Sequence, residues 1–427
     1  MFLIIEMNWT GGIHAPGNSA TTQVVARAFP DQRVRVIAEA SHIAELTSDP
    51  FLSELPNVEF RAIPAYDMLR GKLHLVSFRR MAREFWVLAR AIREVESDEA
   101  VHVFLLSTTS TAIFVCRWLL RLFRHRTLAF QIGLHGNLND ILGWRPLNPL
   151  TRRYDMRSAL TARCVDRLRF LVLDESIRDE MGRILPAAIG LLDVLPLPLN
   201  SSEVGRKIPL VLSEPVRIGF VGLATQAKGI DIFLDVARAI RKQFGDRFEF
   251  HLIGRLQEGT EPLSLDVLAH KASHRMISRE EFSGRLSKLH YVMLPFRSGY
   301  YNLSASGALI DALVWEIPVI AMRIPLVERL FTDYGDIGYL CSDRADIISA
   351  IADIAKLDTT HYDAQVAAIA AAGKDRLPHS LAPRYRAMIL CSDTGRGGRT
   401  HGATPKTEPR GAPLDRPLPS RQTTFRQ

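Results

Sequence analysis

The apolar positions of this chain fall in short continuous runs separated by amphipathic stretches. FLIIEM at the start is such a run, and VRVIAEA (34–40), VHVFLL (101–106), LAFQIGLHG (128–136) and FLVLDES (170–176) repeat it. Runs of this length predict strands buried on both faces, and helical stretches between them predict βαβ units in a parallel sheet. The rhythm breaks at VLPLPLNSSEVGRKIPLVLSEP (194–215), which is rich in Pro and Ser and holds no helical period. It then restarts. VRIGFVGLA (216–224), FEFHLIGR (248–255), LHYVMLPF (289–296) and IPVIAM (317–322) predict strands. KGIDIFLDVARAIRKQF (228–244) predicts a helix with Ile230, Phe233, Leu234, Ala237 and Ile240 on one face, and SGALIDALVWE (306–316) predicts another. The expectation is two α/β domains, residues 1–195 and 216–390, joined by a linker at 196–215. Their strand ends would flank a cleft.

Composition narrows the class. With 427 residues, 47% hydrophobic and 23% charged, the chain has material for more than one core, which excludes a disordered or disulfide-stapled protein. No apolar run reaches the roughly 20 residues that span a bilayer, and MFLIIEMNWTGG lacks the basic start of a secretory signal. Cys116, Cys164, Cys341 and Cys391 are far apart and form no CxxC pair, so no zinc site or disulfide framework is indicated, and a reduced, cytoplasmic setting is expected. The net charge is +8, and residues 391–427 carry seven Lys/Arg against three Asp/Glu, so half the excess lies there. That stretch also holds five Gly and five Pro, which predicts a disordered tail. A charge excess concentrated in the tail argues against a nucleic-acid partner.

Four segments carry candidate chemistry. In GFVGLATQAKG (219–229), Gly222 permits close backbone approach and Lys228 before a helix can meet a phosphate; a plain βα turn with its Lys in water is the alternative. In LSASGALIDAL (303–313), Ser306 can cap a helix while the Ser306 and Gly307 amides point outward and Asp311 accepts from hydroxyls; a capped helix with a solvated Asp is the alternative. GLHG (133–136) sets His135 at a strand's carboxyl end, for ligand contact, proton transfer or a loop role. Gly11 and Gly12 in TGGIHAPGN (10–18) permit unusual backbone angles, but the loop is not GxGxxG and only Glu39 follows as an acidic partner, which disfavours a nicotinamide-dependent oxidoreductase. Two basic helical faces stand apart from these. Arg79, Arg83 and Arg90 form one, with Phe78, Phe85, Leu88 and Ile92 elsewhere on the helix; Arg117, Arg121 and Arg124 form the other. Beside Trp86 and Trp118 they suit either anionic lipid headgroups or solvent.

Together these segments resemble the donor domain of family 4 glycosyltransferases of the GT-B fold. RIGFVGLATQAKGIDIFLDVARAI is similar to that family's strand, Gly-loop, Lys-Gly and helix. FEFHLIGR, MISREEFSGRLSKLHYVMLPF and SGALIDALVWEIPVIAMRIPLVERL follow in the family's order, so the resemblance covers about residues 216–335. It implies two Rossmann-like domains facing across a cleft, and a retaining transfer from a nucleoside-diphosphate sugar to a glycan or lipid-linked acceptor in polysaccharide or glycolipid assembly. The site could stand at the inner face of a membrane. No metal and no cofactor beyond the nucleotide-sugar substrate is implied. Lys228 would pair with the diphosphate and the Ser306 and Gly307 amides would cradle its far phosphate. Asp311 would bond the ribose, the backbone near Met276 and Ile277 would face the base, and Gly222 would end the first strand beneath the donor. His135 would touch the transferred sugar, with Gly11 and Gly12 over the diphosphate from the opposite domain. The sequence departs from the pattern in three places: Leu223 replaces an Arg after the loop glycine, with Arg255 or Arg297 as substitutes, Leu303 replaces the first of two Glu, and Asp311 shortens the second. A GT-B-like nucleotide-binding protein without catalysis is therefore the alternative.

Overall fold

In the computed structural model, the described residues are 1–394 except 66–73, 136–137, 144–151, 153, 163–166, 203, 205–209, 258–263, 273 and 276. Among them the chain builds two parallel sheets. The first has seven strands: β1 (Phe2–Ile5), β2 (Val34–Glu39), β3 (Val58–Ile63), β4 (Val101–Leu105), β5 (Leu128–Gly133), β6 (Leu168–Val172) and β7 (Leu192–Val194), in the order β3-β2-β1-β4-β5-β6-β7. The second has five: β8 (Val216–Ala224), β9 (Phe248–Leu256), β10 (Tyr291–Leu294), β11 (Val319–Met322) and β12 (Gly338–Cys341), in the order β12-β11-β10-β8-β9. The strands read from the apolar runs are all present. The apolar runs leave out β3, β7 and β12: VEFRAI is interrupted by Glu59 and Arg61, LDV has only three residues with Asp193 between its apolar pair, and GYLC starts on a glycine.

Each sheet is covered by helices on both faces, and each face holds its own apolar cluster. The helix Ile230–Phe244 shows why the pattern was legible. Ile230, Phe233, Leu234, Ala237 and Ile240 are all fully buried against β8 and β9. Parallel sheets of this kind reverse strand order at a switch point and place ligand loops there. In the first sheet the switch lies between β1 and β4, in the second between β8 and β10. The loops after these four strands line the cleft, together with segments after β5, β6, β7 and β9.

The segment 195–215 contains no helix or strand among its described residues. It is nonetheless anchored, because the Leu195 and Leu197 amides donate to Val172 and Leu173 and the Leu199 amide donates to Arg376. The chain also crosses back. The helix Pro378–Thr394, expected with the second domain up to residue 390, lies along the helix Ala15–Ala28 of the first. Leu381, Ala382, Tyr385 and Ile389 fill the cluster around Phe2, Ile4 and Val24, and the Tyr385 hydroxyl donates to Gln131 at 2.5 Å. The final helix is apolar on the side that this cluster lacks, so burial pulls it across the linker. The rest of the predicted tail, from residue 395, lies outside the described residues, as does Cys164.

Of the two basic helical faces, the one with Arg117 does not survive intact, whereas Arg79 and Arg90 of the other are exposed. Arg117 is buried, and its guanidinium donates to the carbonyls of Ala159 and Ala162, so it ties two helices together and faces no solvent with Arg121 and Arg124. Leu88 and Ile92 are core residues, and Phe85 packs against the same cluster. Phe78 and Trp86 on the helix His74–Arg93, and Trp118 and Leu122 on the helix Ser110–Leu122, are exposed. Among the described residues no helix is long and apolar enough to cross a membrane.

Candidate active site

A cleft of about 780 Å³ runs between the two sheets. Gly12, His135, Lys228, Ile277, Gly307 and Asp311 line it, so six of the ten residues singled out in the sequence, drawn from both halves, meet there.

The second half supplies the charged wall. Thr225 accepts from the Lys228 amide at 3.1 Å and so closes a short turn after β8. Gly229 follows with φ of 79°, and a side chain there would meet the Pro295 carbonyl at 1.9 Å. Only glycine fits, and it presses the start of the next helix onto the end of β10. The same turn folds Lys228 back over the strand it follows: Nζ lies 3.9 Å from where a side chain on Gly222 would be. Burial lowers the pKa of the Lys228 ammonium, and the Asp311 carboxylate opposes that shift. A cation desolvated in this way gains most from an incoming anion.

Helix Gly307–Val314 points its amino end at the same space. Ser306 caps it, accepting from the Leu309 amide at 3.3 Å, which leaves the Ser306 side chain buried and the Gly307 backbone exposed to the cleft. A helix start with exposed amides favours an anion. Asp311 lies one turn further on, with Arg279 3.9 Å away.

Arg279 was not singled out from sequence, yet it lines the cleft and brings a second cation. Its signal was present: Ser278 caps the helix Arg279–Leu286 by accepting from the Glu281 amide, the S-x-x-E pattern of a helix start, so Arg279 sits in the first turn beside Ile277. Arg297, considered as a substitute for the missing charge, is spent elsewhere. It donates to the Gln226 carbonyl at 2.9 Å and pairs with Asp231, bracing the Lys228 turn. Met276 lies outside the described residues.

The first half supplies a wall with no Lys or Arg among its lining residues. The Leu134 amide donates to Leu171 and places His135 just past β5, where its ring meets His14 edge-on at 4.6 Å. Burial, then the neighbouring His14, pushes the pKa of His135 down to about 4, so it is neutral at pH 7. The glycine loop is held by groups far apart in sequence. Glu6, buried at the end of β1, accepts from the Asn8 and Trp9 amides and from Ser107 Oγ at 2.6 Å. Burial raises the Glu6 pKa. The Gly11 carbonyl takes the Nδ1 hydrogen of His42 at 2.7 Å, its amide donates to Ser41 Oγ, and Asn18 bonds the other nitrogen of His42. Gly11 therefore shapes the loop from behind, and Gly12, Ile13 and His14 face the cleft. Glu6, Asn18 and His42 had no local sequence signal. Among the described residues no three His, Cys, Asp or Glu side chains gather as a metal-binding group.

Residues 215–356, the part that carries Lys228, Arg279 and Asp311, match the family model "Glycosyl transferases group 1". The matched segment is similar to a group 1 glycosyl transferase domain. No curated protein sequence matches the chain. Similar solved structures extend over both halves. A glycosyltransferase from Rickettsia africae is 12% identical with a TM-score of 0.60, covering 93% of this chain and 99% of its own. The Anabaena protein Alr3699/HepE in complex with UDP and glucose is 14% identical with a TM-score of 0.57, covering 92% and 100%. WaaG, a glycosyltransferase involved in lipopolysaccharide biosynthesis, is 12% identical with a TM-score of 0.57, covering 91% and 99%. The two-domain architecture expected from the resemblance, GT-B, is thus present around the matched segment.

Proposed function

We propose that the chain moves a sugar from a nucleoside-diphosphate sugar to a glycan or lipid-linked acceptor in polysaccharide or glycolipid assembly, with retention at the anomeric carbon. The observation that carries this reading is Lys228, folded back over Gly222 and lining the cleft on the same wall as the open helix start at Gly307. Lys228 and the Gly307 amide hold the diphosphate, with Arg279 as the second cation, and Asp311 takes the ribose hydroxyls. The backbone at Ile277 faces the base. The bond from the anomeric carbon to the distal phosphate oxygen breaks, and its electron pair leaves with the diphosphate. Lys228 and the helix amides stabilise that charge as it develops. The acceptor oxygen bonds the same carbon from the same face, and its proton passes to the departing phosphate. His135, neutral, hydrogen-bonds the transferred sugar, and Gly12 covers the diphosphate. The complex of Alr3699/HepE with UDP and glucose supports the donor class. No step in this scheme uses a metal ion.

Phe78 and Trp86 beside Arg79 and Arg90, and Trp118 and Leu122 beside Arg121, suit peripheral contact with an anionic cytoplasmic leaflet. Sedimentation with vesicles of mixed anionic and neutral lipid tests this: binding that ignores the anionic fraction counts against it.

The test of the donor site is thermal stabilisation by UDP, GDP, dTDP, ADP and NAD, in the wild type and in Lys228→Ala. A ligand at about 100 times its dissociation constant adds roughly 2.7 kcal/mol. One nucleoside diphosphate should raise Tm, and the variant should lose most of the rise. The second reading, nucleotide binding without catalysis, is favoured by Leu303, which is 1% exposed and packed into the core of the first half. Nucleotide stabilisation without turnover on any sugar donor would select it.

A further inference from the structure

The cleft continues behind the glycine loop, and its character changes there. Phe104, Leu106, Leu171, Leu195 and Leu197 line it, under Pro16 in the first turn of the helix Ala15–Ala28. Four of these five belong to the apolar cluster beneath that helix and are 7% exposed or less, so they form a packed apolar floor to this part of the cleft. The half-buried Pro16, Leu173 and Leu197 are the apolar side chains that present surface to this space, above that packed floor. Apolar gaps hold water poorly and take apolar guests.

The neighbouring polar groups do not alter this. Ser107 and Asn18 are bonded to Glu6 and His42, within the loop's own support. Lys228, Arg279 and Asp311 lie on the opposite wall, in the second half, and Glu6, on this wall, accepts from the Asn8 and Trp9 amides and from Ser107. His135 stands between the two regions, following β5 beside Leu171.

We propose that this recess is the acceptor's apolar subsite, and that the acceptor is an amphiphile: a hydroxyl-bearing head at His135 with a hydrocarbon or similarly apolar aglycone against Leu171, Leu195 and Leu197. This rests on the glycosyl-transfer reading and selects the lipid-linked class over a free glycan. A free glycan would bury the half-buried Leu173, Leu197 and Pro16 against polar groups, whereas a hydrocarbon chain covers them with apolar surface.

The probes are methyl, butyl and octyl glucosides below their micelle concentrations, titrated calorimetrically in the presence of UDP. Burial of one methylene corresponds to about a fourfold gain in affinity, so the wild type should tighten by about that factor per added carbon. Gly17→Leu provides the control, because a side chain at Gly17 points at Leu197, 3.8 Å away, in a helical turn where glycine is not required by backbone angle. The added leucine fills the recess and should flatten the chain-length series while UDP still raises Tm. Leu197→Asn is a second variant with the same expected flattening. An affinity independent of chain length in the wild type overturns the proposal. So does a slope that persists in both variants, since that places the alkyl chain on an exposed surface such as Trp86. Loss of the UDP response with the chain-length slope intact would instead overturn the donor reading and leave the amphiphile site standing.

Discussion

The two walls of the cleft are built by different means. The second half's wall comes from contiguous pieces: the turn Thr225–Gly229, the helix start at Ser306–Gly307, and Arg279 directly after its cap. It is charged, and each group points where its own local structure sends it. The first half's wall carries no Lys or Arg, and its loop is fixed by bonds between residues that are 31, 24 and 101 positions apart. The charge of a diphosphate is a constant demand on this kind of site, and local motifs answer it. What lies across the cleft has no such fixed chemistry, and its wall is assembled from whatever the tertiary fold brings together.

The largest expected effects fall on the charged wall. Gly229→Ala must push against the Pro295 carbonyl at a positive φ that disfavours alanine. A loss of about 3 kcal/mol or more should appear as a lower urea midpoint, because neither neighbour is a flexible side chain. A change under about 0.5 kcal/mol would mean that the turn is not pressed onto β10. Lys228→Ala should lower kcat/KM by about 10²–10³, the range seen when one oxyanion-stabilising group is removed. Arg297→Ala should act differently. It removes a brace of the turn, so stability should fall, and turnover should suffer only as far as Lys228 is displaced.

A test of the first half uses Glu84, which is buried between the helices His74–Arg93 and Ser110–Leu122. It accepts from Thr109 Oγ1 at 2.5 Å, and burial pushes its pKa up to about 7. The folded protein therefore holds a proton that the unfolded chain releases near pH 4.5. The stability this gives is full below that pH and is lost as pH rises through about 7. The term is worth up to about 3 kcal/mol. Glu84→Gln keeps an acceptor for Thr109 and cannot ionise, so its advantage over the wild type should grow from pH 5 to pH 8. Parallel stability curves for the two proteins would remove Glu84 as the source.

This difference also explains what was legible in the sequence. Strand rhythm, helix faces and the Gly222–Lys228 and Ser306–Asp311 segments are local patterns, and the structure places them where the pattern says. Arg279 was within reach, since Ser278 and Glu281 mark its helix start. Glu6, Asn18 and His42 were not, because each matters only through a partner that the sheet order brings near. The same reason hid the fate of Arg117 and of the helix Pro378–Thr394. A basic residue at helical spacing looks exposed until two carbonyls from another helix meet it, and a final helix looks like part of the nearest domain until the cluster it completes is known.

His135 gives the smallest effect and the sharpest contrast with Lys228. Burial beside His14 holds its pKa at about 4, against an ordinary value of 6.5, so between those values the unfolded chain binds a proton that the folded one refuses. Stability from this group is present above 6.5 and is lost as pH falls toward 4, the opposite sign to Glu84. For activity the consequence is an absence of titration: from pH 6 to 8 the imidazole stays neutral and acts only as a hydrogen-bonding group. His135→Gln should then cost about tenfold in kcat/KM, in line with the loss of one neutral hydrogen bond to substrate, by the same factor at pH 6 and pH 8. A penalty that changes across that range would show that His135 exchanges a proton during turnover. The first wall would then be charged in function, and the division between the two walls would fail.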